Sequence, residues 1–347
     1  MFSTPSALSD FISALPVADE RSVAQAQERQ NQLTKPPTAL GRLEELAIFM
    51  AGWRQTATPQ ITSAQALVFA GNHGVCAQQI NPFPQEVTAQ MVANFAHGGA
   101  AINQLAQLAD ATLDVHPIDL ETPTADITVS AAMDEQALFE AIMRGASAVK
   151  PEADVIVLGE MGIGNSTISA ALCAGSFGGD SHQWVGRGTG ADDDMLSRKA
   201  AVIDKAVTRF TQETGITAQT TDGVDTGLEV LRHLGGREQA ALCGAVLAAR
   251  QNRQIVMLDG YICSSAVAPL FRMSPRLLDH CIVAHQSREP GHHRLLTALD
   301  KKPLLDLDLC LGEGSGAAIG LMLLRASLAC HNGMASFAEA AISGSAD

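Results

Sequence analysis

Apolar residues recur along this chain with two different periods, and the contrast predicts its elements. Residues 66–70 (ALVFA), 155–158 (VIVL) and 255–258 (IVML) are continuous apolar runs of strand length. Glycine and polar residues follow each: Gly71-Asn72-His73-Gly74, then Gly159-Glu160 onward to Gly164, then Asp259-Gly260. Strands apolar on both faces belong to a mostly parallel sheet covered by helices. Residues 305–311 behave differently, alternating leucine with Asp306, Asp308 and Cys310, the period-2 pattern of a strand with one buried face. That pattern breaks at Gly312-Glu313-Gly314-Ser315-Gly316. Ala317, Ala318, Leu321 and Leu324 then predict a helix to about His331, ended by Asn332-Gly333, with a second short helix from about Ala335.

Near the start, Thr38 is placed to cap a helix carrying Leu40, Leu43, Leu46, Ala47 and Met50, with Lys35-Pro36-Pro37 as an extended lead-in. The expected organisation is therefore an α/β domain over residues 61–325. Helical segments 1–60 and 326–347 would form a small helical subdomain.

Composition narrows the function classes. The 347 residues are 46% hydrophobic and 17% charged, with a net charge of −14. Such a balance argues against binding nucleic acid or an anionic membrane through a basic surface. A phosphorylated small molecule remains possible if local dipoles and a few cations hold it. Seven cysteines form no CxxC pair, which fits a reducing cytoplasm. The first twenty residues lack the basic and long apolar regions of a secretory signal, and no apolar run reaches the ~20 residues of a membrane span.

In a parallel sheet, ligands bind outside the carboxyl ends of the strands. Asn72, His73, Glu160, Asp259 and Glu313 should then converge on one rim. Glu313, between glycines that let backbone and ligand approach closely, is the candidate base, because desolvation raises a carboxylate's pKa toward the range useful for proton transfer. The alternative is an acidic residue placed at a helix N-terminus by the dipole. Residues 159–167 (GEMGIGNST) offer backbone amides with Asn165, Ser166 and Thr167 at a helix start, an anion site needing no basic side chain, or only a turn. Glu160 beside it would suit ribose hydroxyls.

Residues 186–194 (GRGTGADDD) form a second glycine-rich loop. Lys199 beyond it is either the cation for a phosphate or carboxylate, or an exposed helix lysine. Asp192, Asp193 and Asp194 suit a helix start better than a divalent metal. Phe83 and Gln85 could wall a planar substrate, or Phe83 could be ordinary core. His73 is either a proton relay or a structural histidine. Residues 284–293 (AHQSREPGHH) carry Ser287, but adjacent histidines on a helix diverge, which disfavours zinc.

These motifs, in order, resemble the nicotinate-nucleotide–dimethylbenzimidazole phosphoribosyltransferases of cobalamin lower-ligand assembly. The resemblance runs from KPPTALGRLEELA at 35–47 through HGV, FPQEVTAQMVANF, GEMGIGNST, GRGTG, LGG, LDG and PLLDLDLCLGEGSGAA to MASFAEA at 334–340. It implies transfer of 5-phosphoribose from nicotinate mononucleotide to a benzimidazole, with no metal or other cofactor. It also implies a Rossmann-like sheet with helices on both faces and a homodimer.

Under that resemblance Glu313 is the general base, and Glu160 and Lys199 are important for activity. Gly162, Ile163, Gly164, Asn165, Ser166 and Thr167 form the phosphate loop, and Asp259 is a ribose-side contact. The nicotinate and base pocket falls at Phe83, Gln85, Gly188, Gly190, Ser287, Leu311 and Gly312. The chain departs from the family pattern at Asn72, where the family commonly has Asp, and in residues 77–83. Other azole or phenolic acceptors, and a nucleotide-binding module without turnover, stand as alternatives.

Overall fold

The structure is a computed structural model that describes residues 4–188 and 190–343. Its strands are β1 (Ala64–Ala70), β2 (Thr112–Pro117), β3 (Val155–Met161), β4 (Ile255–Leu258), β5 (Cys281–Val283), β6 (His285–Gln286) and β7 (Leu305–Asp306). The helices of the first half are α1 (Pro5–Ser13), α2 (Glu20–Gln32), α3 (Arg42–Arg54), α4 (Glu86–Ala96), α5 (Ala101–Leu108), α6 (Glu135–Ala148) and α7 (Asn165–Phe177). Those of the second half are α8 (Asp193–Thr214), α9 (Val224–Leu234), α10 (Arg237–Gln251), α11 (Tyr261–Ala266), α12 (Ala268–Met273), α13 (Pro290–Ala298) and α14 (Ser315–Gly333).

Five strands form one parallel sheet in the order β2-β1-β3-β4-β5. The continuous apolar runs are explained by what covers each face. Leu67, Phe69, Ile156, Leu158, Val256, Leu258 and Val283 point into one core with α6, α7, α9 and α10. Their neighbours Ala66, Val68, Val155, Val157, Ile255, Met257 and Ile282 point into a second core with α3, α5 and α14. A strand in mid-sheet thus has no polar face to show, and the sheet is an α/β layer covered on both sides. Because every pair is parallel, Ala70, Met161, Leu258 and Val283 all end at the same edge.

The register sharpens this convergence. Leu158 pairs with Leu258, and Leu258 with Val283, so Glu160, Asp259 and His285 leave neighbouring strands at almost the same level.

Three local expectations are corrected. The helix near residue 40 starts at Arg42 and is not capped by Thr38, which sits in a turn at φ +61°. Glu44 instead reaches back to the amide of Leu40 (2.9 Å) and pairs with Lys35 (2.8 Å). Residues 305–311 do not form a one-faced strand. Only Leu305–Asp306 pairs, because β6 offers two residues and Asp308 turns the chain at φ +55°, leaving Leu307 and Leu311 more than half exposed. Past Ala335 the chain forms turns rather than a helix, and Ser336 bridges Leu33 while the amide of Phe337 donates to the carbonyl of Gln32.

Candidate active site

At the carboxyl edge of the sheet a cavity of about 240 Å3 opens. The end of β3 and the turn into α7 supply Glu160 and residues 161–166, and the exit of β4 supplies Asp259. His285, Ser287 and Glu289 follow β5, Gly188 and Lys199 come from the loop before α8 and from α8 itself, and Cys310, Leu311, Gly312 and Glu313 precede α14. Asn81, Pro82 and Phe83, with Val87 and Met91 of α4, form a largely apolar wall.

Glu313 stands on an unusual backbone. Gly312, Glu313 and Gly314 all lie in the left-handed region, at φ +88°, +64° and +90°. Glycine adopts this freely, but for glutamate it costs ~1–2 kcal/mol, so the surroundings must impose it. They do so from two sides. Asp259 accepts hydrogen bonds from the amides of Gly314 (3.1 Å) and Ala317 (2.9 Å), capping the start of α14. Gly159 of β3 lies directly beneath, and a Cβ there would stand 2.2 Å from the Glu313 carbonyl oxygen.

The side chain so presented is buried at 6% exposure, and its Oε2 lies 3.5 Å from the amide of Ile102 at the start of α5. Burial pushes its pKa up and Asp259 adds to the rise. The Ile102 amide opposes without cancelling it.

Glu160 is the most perturbed carboxylate. Burial, then the charges of Asp259, Glu238 and Glu313, push its pKa well above the usual carboxyl range, while a backbone hydrogen bond at Glu313 opposes. It accepts from the side-chain amide of Asn165, and its Oε1 lies against the Gly312 Cα, where a Cβ would come within 2.5 Å.

Against these acids stands Lys199, buried at 3% exposure, its Nζ 3.3 Å from Ser166 Oγ. Burial lowers its pKa and Glu289 partly restores it. A buried lysine whose near partner is a hydroxyl is a site for an anion. Gly164, at φ +96°, is the N-cap of α7, but the turn's amides are largely taken. The amides of Asn165 and Thr167 fold back on the Gly162 and Gly164 carbonyls (3.2 and 3.0 Å), so an anion here is met chiefly by Ser166 and Lys199.

Of the residues singled out from sequence, Glu313, Glu160, Lys199, Asp259, Gly162, Ile163, Gly164, Asn165, Ser166, Phe83, Gly188, Ser287, Leu311 and Gly312 line this one cavity. Thr167, Gln85 and Gly190 are not brought to it. Thr167 is 1% exposed within α7, and Gln85 spends its amide on the His73 carbonyl (2.5 Å). Gly190 is left in open space. Asn72 and His73 also fall outside the cavity lining. Asn72 donates to the Leu120 carbonyl (3.0 Å), and His73 Nε2 lies 2.7 Å from Glu238 Oε1, the His73 and Glu238 side chains being fully buried. Asp192 caps α8 through the amide of Met195 (2.8 Å) and Asp193 pairs with Arg187 (2.5 Å).

The sequence places His285 in the polar 284–293 segment only as a member of a disfavoured zinc site, and Glu289 is passed over. The signal was present: CIVA at 281–284 is a fourth apolar run of the same kind, and His285 is its polar successor.

A second cavity, larger at about 620 Å3, lies between α3 and α13. Two of its cations, Lys301 and Arg42, are already engaged. Lys301 donates to the carbonyls of Leu278 (2.8 Å) and Cys281 (3.2 Å), and Arg42 pairs with Glu45 (2.6 Å). Size favours it; chemistry favours the first. Among the described residues no three His, Cys, Asp or Glu side chains stand together as a metal-holding group.

A family model described as "Phosphoribosyltransferase" matches residues 15–342. A nicotinate-nucleotide–dimethylbenzimidazole phosphoribosyltransferase of Ruegeria sp. (strain TM1040) is 54% identical over 339 residues, covering 97% of each chain. The enzyme of the same name from Rhodobacter capsulatus is 53% identical over 335 residues, covering 96% of this chain and 97% of that one. The crystal structure of CobT from Thermus thermophilus superposes with a TM-score of 0.84 at 38% identity, covering 94% of this chain and all of that one. The fold, the cavity at the strand ends and these similarities lead to one assignment: this chain belongs to the nicotinate-nucleotide–dimethylbenzimidazole phosphoribosyltransferase family.

Proposed function

We propose that the chain transfers 5-phosphoribose from nicotinate mononucleotide to 5,6-dimethylbenzimidazole, giving α-ribazole 5′-phosphate and nicotinate, with Glu313 as the general base. The observation that carries the reading is a buried carboxylate with a raised pKa, presented into the same cavity as a buried lysine–serine anion site.

The chemistry follows from that arrangement. The phosphate rests at Ser166 and Lys199, and the ribose lies toward Glu160. One ring nitrogen of the acceptor attacks C1′ from the face opposite nicotinate, which departs with the electron pair of the broken C–N bond. The acceptor's other ring nitrogen gives its proton to Glu313. Holding both reactants in line is worth up to about 7–11 kcal/mol, and a positioned base typically ~10²–10⁴-fold. Nothing is oxidised or reduced. The apolar wall of Pro82, Phe83, Val87 and Met91 offers a planar bicyclic acceptor a surface for stacking.

Phe83 and Leu311, both lining the cavity, are exposed by about half, and a second copy of the chain would cover them. A homodimer is therefore part of the proposal. Free thiols at all seven cysteines fit a cytoplasmic protein, and no helix among the described residues is long and apolar enough to cross a membrane.

The test is nicotinate release from nicotinate mononucleotide in the presence of dimethylbenzimidazole. Glu313→Gln should lose ~10²–10⁴-fold in kcat while still binding nicotinate mononucleotide. Absence of release by the parent protein with dimethylbenzimidazole overturns the activity, and unchanged turnover in the variant overturns the base.

A further inference from the structure

The Asp259 carboxylate does not hang free in the cavity. Both its oxygens are committed to backbone amides of Gly314 and Ala317, at 3.1 and 2.9 Å. Against it lies His285, 2% exposed, with Nε2 3.3 Å from Asp259 Oδ1. The imidazole is wedged from three sides. A Cβ on Gly316 would stand 2.0 Å from His285 Cδ2, and one on Gly260 would stand 3.0 Å from Nε2. The ring of His292 crosses it edge-on with centroids 6.5 Å apart. The bare glycine backbones of α14 and of the turn after β4 therefore receive this ring.

We propose that His285 is a positioning residue: it fixes the Asp259 carboxylate on the amides of Gly314 and Ala317, and so holds the left-handed 312–314 turn that aims Glu313 into the cavity.

Asp259 is then an anchor of the base as well as a cavity wall. Its place at the strand end is where a ribose contact would be expected, yet its acceptor capacity is largely used inside the protein. The charges around His285 agree with this pairing. Burial alone depresses the imidazole, but the carboxylate of Asp259 close beside it, the backbone of Gln286 and the charge of Asp306 carry its pKa above the usual value. His292, the other titratable ring facing it, is pushed down to about 3 by burial and by His285, and remains neutral. Among the described residues the ion-pair partner of the ring is Asp259, at 3.3 Å, with the neutral His292 crossing it edge-on.

This inference rests on Glu313 being the base, so Glu313→Gln is measured beside the variants that test it. His285→Ala and Asp259→Asn should each lower kcat by about tenfold or more, the scale on which small misplacements act. The dissociation constant for nicotinate mononucleotide, measured by calorimetry, should stay within about twofold. His285→Gln, whose amide can donate to Asp259 from the same place, should recover most of the rate. A merely structural role would not separate kcat from binding or be rescued in this way.

Unchanged kcat in both His285→Ala and Asp259→Asn, with turnover lost in Glu313→Gln, overturns the positioning role and leaves the base intact. Binding that weakens in step with kcat/KM also overturns it, by placing His285 or Asp259 on the substrate. Full turnover in Glu313→Gln overturns the base assignment itself. Should His285→Ala fail to melt cooperatively, Asp259→Asn is read in its place by the same criteria.

Discussion

Gly159 sits where the sheet meets the turn carrying Glu313, and adding one methyl there tests whether that turn's position sets the rate. In Gly159→Ala the new carbon would lie 2.2 Å from the Glu313 carbonyl oxygen, 2.4 Å from its carbon and 2.7 Å from the Gly314 nitrogen. Non-bonded heavy atoms settle near ~3.5 Å, so strand and turn must part by about 1 Å. None of the three atoms ends a flexible side chain. On one side β3 is hydrogen-bonded to both β1 and β4, and on the other Asp259 grips the turn. Overpacking of this kind costs about 1–3 kcal/mol of stability, which a 347-residue α/β protein survives.

The effect on turnover should be larger, because a displacement near 1 Å at a reacting group can cost about 10²-fold. The assay is the initial rate of nicotinate release at saturating substrates, run beside a thermal melt. A folded variant with kcat down about 100-fold and nicotinate mononucleotide still bound is expected. A folded variant with parental kcat would refute the reasoning, since Glu313 would then act from a displaced turn.

Other consequences are equally measurable. Glu160 has a raised folded-state pKa, so the fold is favoured below the ordinary carboxyl pKa and loses that contribution as pH rises through the raised value. Glu160→Gln should therefore melt above the parent at neutral pH, with the gap closing toward about pH 4, even though activity falls; a variant that melts lower at all pH values contradicts this. Lys199→Met should weaken nicotinate mononucleotide binding by about 10–100-fold, the scale of a charged hydrogen bond, and acceptor binding much less; equal loss for both would move the phosphate elsewhere. Glu313 must be ionised to accept a proton and its pKa is raised. The acid limb of kcat should therefore lie above the ~4.3 of a free glutamate and vanish in Glu313→Gln.

Much of this arrangement is legible in the chain. β1, β3 and β4 announce themselves because a strand buried on both faces tolerates few polar residues, and each is followed closely by a polar residue of the sheet's carboxyl edge. β2 does not, since at the sheet edge Thr112–Pro117 stays half exposed and reads as mixed. β5 is only three residues long, yet CIVA at 281–284 repeats the apolar run with a polar successor, a signal present but short. The alternation over residues 305–311 misleads for a physical reason. Leucines recur there along an irregular segment at the cavity rim, and the local turn at Asp308 overrides the strand preference. At the site, Glu313 could be picked out because glycines isolate it. The clamp formed by Asp259 and His285 could not, because it joins residues 26 apart that only the parallel register brings side by side.

The most direct measurement is a crystal structure with nicotinate mononucleotide and a benzimidazole bound together, read for the distance from the Glu313 carboxylate to the acceptor's ring nitrogen. The account predicts about 2.6–3.2 Å, with the phosphate on Ser166 and Lys199 at the far end of the ribose. An acceptor bound in line with C1′ but with no carboxylate oxygen of Glu313 within direct or single-water reach of its nitrogen would contradict it.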